Sequence, residues 1–259
     1  MNIINIIRIS PILLLGLLCS CEKVISLDLN TSSSQIVIQG NVYDQAGPYT
    51  VKISKSVGFD EPSSYPAVTD AKVTISDNTG YAEVLSEDSS GIYVTSQLKG
   101  IPGRTYTLKV ETGGQTYTAS SYMPNAVEID SIYNVKSDFG KLKQFHLLFK
   151  DPADTANYYR LIDFINEKAQ NSMMIASDMG YDGKTISGTL LFSEDDLKSG
   201  DTLTLWLESV DKGVYDYIRT AANHDGQTAS PANPVSNISN GALGYFNACS
   251  VRKKSIVMP

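Results

Sequence analysis

The chain has 259 residues, with 28 Asp and Glu against 21 Lys and Arg, which gives a net charge of −7 and a pI of about 4.9. This acidic balance argues against a nucleic-acid-binding protein and against docking through anionic lipid head groups, because both need dense basic patches. The length allows one large or two ordinary domains.

The N-terminus has the pattern of a bacterial lipoprotein signal peptide. Its apolar run, "PILLLGLL", is too short to span a bilayer, and the alternative is a buried strand or helix. Leu18 lies three residues before Cys21 and the small Ser20 immediately before it, which is the spacing of a lipoprotein cleavage site. Residues 1–20 are therefore predicted to be the signal peptide, and Cys21 the residue that carries acyl chains such as palmitate. A disulfide between Cys19 and Cys21 is the competing interpretation, but it would close a very small, strained ring.

The segment after Cys21 is polar and lacks a hydrophobic period. It contains the stretch "SLDLNTSSS", which is typical of a flexible connection. We therefore predict a lipidated N-terminus and tether over residues 21–34. Several acyl chains on one residue anchor a protein far more strongly than a single chain does. The sequence thus predicts a protein that is anchored to a membrane without spanning it.

From residue 35 the sequence changes to short segments in which apolar and polar residues alternate. Glycine, proline and asparagine turns separate these segments, and no helical period interrupts them before Pro124. This pattern predicts an immunoglobulin-like β-sandwich over residues 35–124. The segments are "QIVIQGNVYD", "YTVKISK", "AKVTISDN", "YAEVLSE", "GIYVTSQL", "RTYTLKVE" and "QTYTASSY".

A long insertion, "SVGFDEPSSYPAV", interrupts this first module at residues 56–68. A loop of this length within a sandwich is either a binding element or a connection without a function of its own. If it binds a partner, Tyr65 is the expected aromatic anchor, and Pro66 belongs to the same candidate contact loop.

Residues 125–259 are predicted to form a C-terminal β-rich module. Ser193 and Asp196 have the spacing of a capping box around a single helical turn. Asp211 is a predicted N-cap, and the residues after it have a 3.6-residue apolar period, which predicts a helix near 212–223. The predicted fold class is mainly β, with two β-sandwich-like modules, the first immunoglobulin-like and the second with one short helix.

A second long loop is predicted at residues 225–244, where Gly, Ser, Asn and Pro are frequent. Asn233 and Pro234 are the candidate contact residues in this loop. The alternative is again a tolerated insertion.

Six segments in fixed order make the chain similar to the DUF4249 family. The resemblance covers essentially the whole chain after the signal peptide, and it implies an outer-membrane-associated lipoprotein of Bacteroidota. It also implies a partner, because genes of the family often lie beside those of TonB-dependent outer-membrane receptors. It implies no reaction and no catalytic residues. The segments are "CEKVISLDL", "VIQGNVYDQAGPYTVKISKSVGFDEPSSYPAVTDAKVTISDN", "GIPGRTYTLKVE", "YYRL", "GDTLTLWLESVDKGVYDYIRT" and "PANPVSNISNGALGYFNACS".

Three tripeptides resemble the Asp-(Ser/Thr)-(apolar or Thr) acceptors of O-glycosylation in Bacteroidota. Thr155 is the favoured candidate, because the proline and polar residues around it predict an exposed loop. The tripeptides are Asp130-Ser131-Ile132, Asp154-Thr155-Ala156 and Asp201-Thr202-Leu203.

Residues with catalytic potential are sparse and scattered. His146 lies within an alternating strand, and His224 follows the predicted helix, where a positive charge suits the helix dipole. Metal-ligand spacings, nucleophile elbows and phosphate loops are absent from the sequence. The acidic run at 193–196 lacks the alternation of a calcium loop. We therefore predict no enzyme, no metal and no cofactor, and we predict that Cys249 is a buried, unpaired thiol.

Two functions remain for a chain of this kind. The first is a non-catalytic binding or accessory module at the outer membrane that serves a TonB-dependent transporter. The second is a structural or adhesive cell-surface protein. The ligand is unknown, and the sequence leaves open whether the anchored body faces the periplasm or the cell surface.

Overall fold

The computed structural model describes residues 34–58, 65–135, 140, 142–170, 174–222 and 234–258. The predicted signal peptide and nearly all of the predicted tether lie outside these ranges. Ser34–Pro259 form one compact unit, whose described residues contain sixteen strands and one helix. In chain order these are β1 (Ile36–Tyr43), β2 (Thr50–Lys55), β3 (Lys72–Asp77), β4 (Ala82–Val84), β5 (Ser86–Ser89), β6 (Ile92–Val94), β7 (Thr105–Thr112), β8 (Gln115–Tyr122), β9 (Ile129–Val135), β10 (Leu142–Lys150), β11 (Tyr158–Ile165), β12 (Lys168–Ala169), β13 (Met174–Ser177), β14 (Thr185–Ser193), β15 (Thr202–Val210), α1 (Lys212–Ala222) and β16 (Leu243–Val257).

One nine-stranded sheet runs through the whole unit. Its strand order is β12-β11-β15-β16-β1-β2-β6-β5, and β13 pairs with β11 beside β12. Two strands that are far apart in the sequence meet in its centre, where β1 and β16 pair in parallel and Tyr43 lies opposite Cys249. This long sheet is the scaffold on which all other elements pack.

Two smaller sheets cover one face of the long sheet. The sheet β4-β3-β7-β8 packs over β1 and β2, and the sheet β14-β10-β9 packs over β11 and β15. Strands of both layers alternate in burial, with Ile38 and Val42 inward in β1 and Leu205 and Leu207 inward in β15. Successive side chains of a strand point to opposite faces, so this alternation gives each sandwich an apolar interior.

The helix α1 covers part of the opposite face of the long sheet. Asp211 caps its N-terminus, because the Asp211 Oδ1 accepts a hydrogen bond from the Val214 amide at 2.9 Å. Val214 and Ile218 lie one turn apart and pack with Cys249 and Val251 of β16. The predicted helix near 212–223 is therefore confirmed, as is the mainly β fold class.

The predicted boundary near Pro124 needs a correction. We expected residues 35–124 and 125–259 to be separate sheet structures, but β16 from the second range pairs with β1 from the first. The first apolar core is likewise completed by residues from the far end of the chain, including Phe246 and Ala248. Period-two alternation shows which side chains of a strand face inward but does not identify the neighbouring strand, so the shared sheet was not predicted.

Within the described part of the chain, no helix is long and apolar enough to cross a membrane.

Candidate functional site

A groove of about 380 Å³ lies on the helix-bearing face of the long sheet, and we call it the sheet-face groove. Its floor is formed by β1, β2 and the start of β16, where Gln39 pairs with Lys52 and Val37 pairs with both Ser54 and Leu243. Paired residues share a sheet face, so these side chains lie on one surface. The full lining is Val37, Gln39, Lys52, Ser54, Ser56, Tyr65, Tyr217, Pro234, Leu243 and Gly244.

Two aromatic residues flank the floor of the sheet-face groove. Tyr217 comes from α1, and its ring lies 4.9 Å from the ring of Tyr245, which fixes its position against β16. Tyr65 comes from the predicted contact loop at 56–68 and is 60% exposed. The groove therefore combines a rigid polar floor with one packed and one exposed tyrosine.

The structure brings the two predicted contact loops together. Tyr65 and Pro234 line the same groove, although 168 residues separate them in the sequence. Pro66 contributes its carbonyl oxygen, which accepts a hydrogen bond from the Lys55 amide at 2.8 Å and ties the loop to β2. Asn233 lies outside the described residues. Whether this groove binds a partner stays a prediction.

The side of the groove that Pro234 forms is fixed to α1 by a hydrogen bond. The Val235 amide donates a hydrogen bond of 2.9 Å to the hydroxyl of Thr220 in α1, so Pro234 is held beside the helix. Lys52 is the cationic side chain on the groove floor. Lys52 and Tyr217 were not predicted to be groove residues, because Lys52 fits an ordinary alternating strand and Tyr217 an ordinary apolar helical stripe.

Deeper under α1, the same sheet face carries a buried polar cluster. Arg160 and Glu208 lie opposite each other on β11 and β15, with Arg160 Nη1 3.5 Å from Glu208 Oε2. Arg160 keeps 22% of its side chain exposed, whereas the Glu208 side chain is fully buried. Asn247 belongs to the cluster, and its Nδ2 donates to the Cys249 Sγ at 3.3 Å.

Burial changes the acid–base properties of this cluster. Desolvation raises the pKa of the Glu208 carboxyl, and the nearby Arg160 guanidinium only partly opposes this effect. Burial likewise raises the pKa of the Cys249 thiol well above its usual value, with a smaller contribution from the Glu208 charge. Desolvation also raises the pKa of the Tyr43 hydroxyl. A thiol in such surroundings is a poor nucleophile, and Cys249 is confirmed as buried and unpaired.

An acidic cluster that was not predicted from the sequence lies at the loops next to β11. One carboxylate oxygen from each of Asp151, Asp178 and Asp182 lies within 4.8 Å of the others. These carboxylates already serve as acceptors within the fold, since Asp151 Oδ1 accepts from the Tyr159 hydroxyl at 2.5 Å and Asp178 Oδ2 from the Asn157 amide at 2.8 Å. The arrangement fastens the loop before β11 to the loop before β14.

Thr155 lies exposed on the turn between β10 and β11. The competing acceptors Ser131 and Thr202 are only partly exposed and lie in β9 and at the start of β15. A modifying enzyme needs an accessible, adaptable backbone, so the geometry favours Thr155 among the three, and its glycosylation stays a prediction.

The histidines gain no catalytic partner that the structure describes. His146 stacks on Tyr133 with ring centroids 5.5 Å apart and shares a hydrogen bond of 3.1 Å with Gln144. His224 lies outside the described residues.

A comparison with protein-family models gives a match over most of the chain. The family model described as "Domain of unknown function (DUF4249)" matches residues 22–255. Among curated proteins, none matches the chain.

Proposed function

We propose that this chain, which belongs to the DUF4249 family, is a lipoprotein of the outer membrane in Bacteroidota. In this proposal it acts there as a non-catalytic binding or accessory module for a TonB-dependent transporter. The anchor is the acylated Cys21, and the family match begins at the next residue, 22, as expected if the signal peptide is removed before Cys21. The ligand that reaches the transporter is left open.

The observation that carries the proposal is the convergence of two loops on the sheet-face groove. Tyr65 and Pro234 belong to the two segments that the sequence marked as candidate contact loops, and both line this groove. Recognition surfaces are commonly built from loops held on a rigid sheet. An exposed tyrosine beside a concave surface is the kind of residue that carries binding energy at protein interfaces.

With a lipid anchor, even a weak contact between this module and its partner is sufficient for a complex to form. A module tethered in the same membrane as its partner meets that partner at a high effective concentration, so a small groove can support a stable complex. Lys52 on the groove floor gives the otherwise acidic chain a local positive charge that suits an acidic segment of the partner.

The experiment is co-purification of the full-length chain from its own membranes in mild detergent. We expect a TonB-dependent receptor, identified by mass spectrometry, to be enriched with the wild-type protein. The Tyr65→Ala variant should capture much less of the receptor, since truncation of a hot-spot residue weakens binding by about 2 kcal/mol or more. The matched control is Tyr181→Ala, because Tyr181 is also an exposed tyrosine, at 52%, but is not part of the groove.

Two outcomes would contradict the proposal. If the wild-type protein captures no such receptor, the accessory role fails, and the structural or adhesive role becomes the better account. If the receptor is captured equally by Tyr65→Ala and wild type, the partnership stands but the groove is not where it forms.

A further inference from the structure

An apolar cavity of about 350 Å³ lies inside the second sandwich, on the other side of the long sheet from the sheet-face groove. Its walls come from β10 and β14 of the three-stranded sheet and from β11, β13 and β15 of the long sheet. β14 is the outer strand of its sheet, and β13 pairs only with β11. The cavity therefore opens between two strand edges that are not bonded to each other, and we call it the edge cavity.

Two small residues keep the edge cavity open. Gly188 occupies an inward position of β14, between the buried Ile186 and Leu190, where a large apolar side chain would be expected. A Cβ atom added at Gly188 would meet only the Cβ of Leu147, at 4.0 Å, so nothing else fills this space. On the facing edge strand, Ala176 is the small residue that lines the cavity.

The chemistry of the lining selects the ligand. The walls are aliphatic and aromatic, including Leu147, Phe149 and Leu207. The Tyr159 hydroxyl donates its hydrogen bond to Asp151, and the residue is only 1% exposed, so the hydroxyl is closed off from a ligand. Thr189, the other polar lining residue, is exposed at the surface. A ligand group inside the cavity would find no hydrogen-bond partner among these residues, and burying a polar group without one is costly.

We propose that the edge cavity binds one aliphatic chain of fatty-acyl type, with its apolar end inside and its polar end at the mouth. The volume falls at the lower end of the range of small-molecule sites, about 300–1,000 Å³, which suits one chain and not a bulky ring system. This site is independent of the proposed partner groove, because the two lie on opposite faces of the long sheet.

The test uses the compact unit Ser34–Pro259, which has its own cores and lacks Cys21, the predicted site of acylation. The probe is dansyl undecanoic acid, whose fluorescence rises in an apolar environment. We expect saturable binding of one probe per chain and displacement by dodecanol. Dodecanediol should displace it at least about tenfold less well, because its second hydroxyl would be buried without a partner.

Substitutions that fill the edge cavity test whether it is a binding site or only a gap in the packing. Gly188→Leu fills the cavity and should weaken probe binding about tenfold or more while the variant unfolds at no lower a temperature than wild type. Ser187→Leu is the matched control, since Ser187 is the outward neighbour on the same strand and should leave binding unchanged. If Gly188→Leu fails to fold, Ala176→Leu blocks the cavity from the other edge. The proposal is overturned if the wild-type protein shows no saturable binding, if a folded cavity-filling variant binds like wild type, or if dodecanediol competes as well as dodecanol.

Discussion

Arg160 and Glu208 form an ion pair on neighbouring strands beneath α1, with Arg160 Nη1 3.5 Å from Glu208 Oε2. The Glu208 side chain is 0% exposed, and neither of its oxygens has a hydrogen-bond partner among the described residues. Arg160 keeps 22% of its side chain exposed. The pair is therefore asymmetric, because the arginine reaches solvent whereas the carboxylate is fully buried and the arginine is its main stabilising neighbour.

This asymmetry predicts that Arg160→Met is strongly destabilising at neutral pH. Removing one partner of a buried pair typically costs about 3–5 kcal/mol, since the remaining charge is left uncompensated. Burial already raises the pKa of Glu208 above its ordinary value of 4.5, and loss of the guanidinium should raise it further. Urea unfolding at neutral pH measures the free-energy difference between variant and wild type.

The sign of the pH dependence follows from the raised pKa. A carboxyl with a higher pKa in the folded state binds protons more tightly there than in the unfolded chain, so lowering the pH favours the folded state. The loss of unfolding free energy caused by Arg160→Met should therefore shrink as the pH falls, because Glu208 becomes protonated in both proteins. The control is the double variant with Arg160→Met and Glu208→Gln. Its loss of unfolding free energy relative to wild type should not shrink in this way as the pH falls. A deficit of Arg160→Met that is the same at every pH would contradict the prediction.

Cys249 is predicted to resist modification in the native protein. Its side chain is 0% exposed, and burial raises the pKa of its thiol, so thiolate is scarce at neutral pH. In the unit Ser34–Pro259 it is the only cysteine, so labelling by a bulky maleimide reports on it alone. We expect labelling only in denaturant. Ser86→Cys supplies an exposed thiol as a positive control, and equal native labelling rates for the two thiols would show the prediction to be wrong.

The shared sheet predicts that Ser34–Pro259 unfolds in one cooperative transition. The strand β16 contributes to both sandwiches, so neither core can lose it alone. The single tryptophan, Trp206, reports on β15, a strand of the second sandwich, and far-UV circular dichroism reports on all strands. The two signals should give coincident urea transitions. Two separate transitions would instead support independent modules.

A glycine in β16 tests the same junction. Gly244 has a φ of 97°, and an added Cβ would lie 2.0 Å from the Ile38 carbonyl oxygen. Gly244→Ala should therefore lower the free energy of unfolding by more than about 4 kcal/mol. Both unfolding signals should move together to lower urea concentration. Gly80→Ala is the matched control, since Gly80 also has a φ of 97° but has open space around its Cβ position. Gly80→Ala should lower the free energy of unfolding by only about 1–2 kcal/mol, which is the penalty for placing a Cβ on a left-handed backbone conformation. Similar losses in the two variants would contradict the steric argument.

Local features of the fold were predictable because their signals are contained in short segments. The capping box is present, since the Ser193 hydroxyl donates to the Asp196 carboxylate at 2.8 Å and accepts from the Asp196 amide at 3.1 Å. Asp211 caps α1 as its spacing indicated. These motifs need only neighbouring residues, so their geometry follows from the sequence.

Features that depend on distant residues were not predictable. The β1–β16 pair joins residues about two hundred positions apart, and an alternating pattern fits many partner strands equally well. Both faces of β16 are buried around Cys249, one in the first core and the other under α1, so that even Asn247 and Ser250 are inaccessible. The ion pair of Arg160 with Glu208 was not predicted for the same reason, since only the tertiary structure places the two residues on neighbouring strands.

The lipid anchor gives a prediction that rests on the sequence alone. If Cys21 is the modified residue, Cys21→Ala should accumulate as an uncut precursor that takes up no alkyne-labelled palmitate in its own host. Cys19→Ala should still be processed and labelled, because Leu18 and Ser20 keep their positions relative to Cys21. Cys19 is thus a matched control of the same residue type, two positions away. Mass spectrometry of the mature N-terminus locates the acyl chains. Acylation of the Cys21→Ala protein, or loss of labelling in Cys19→Ala alone, would move the anchor to Cys19 and place the bulky Leu18 beside the cleaved bond.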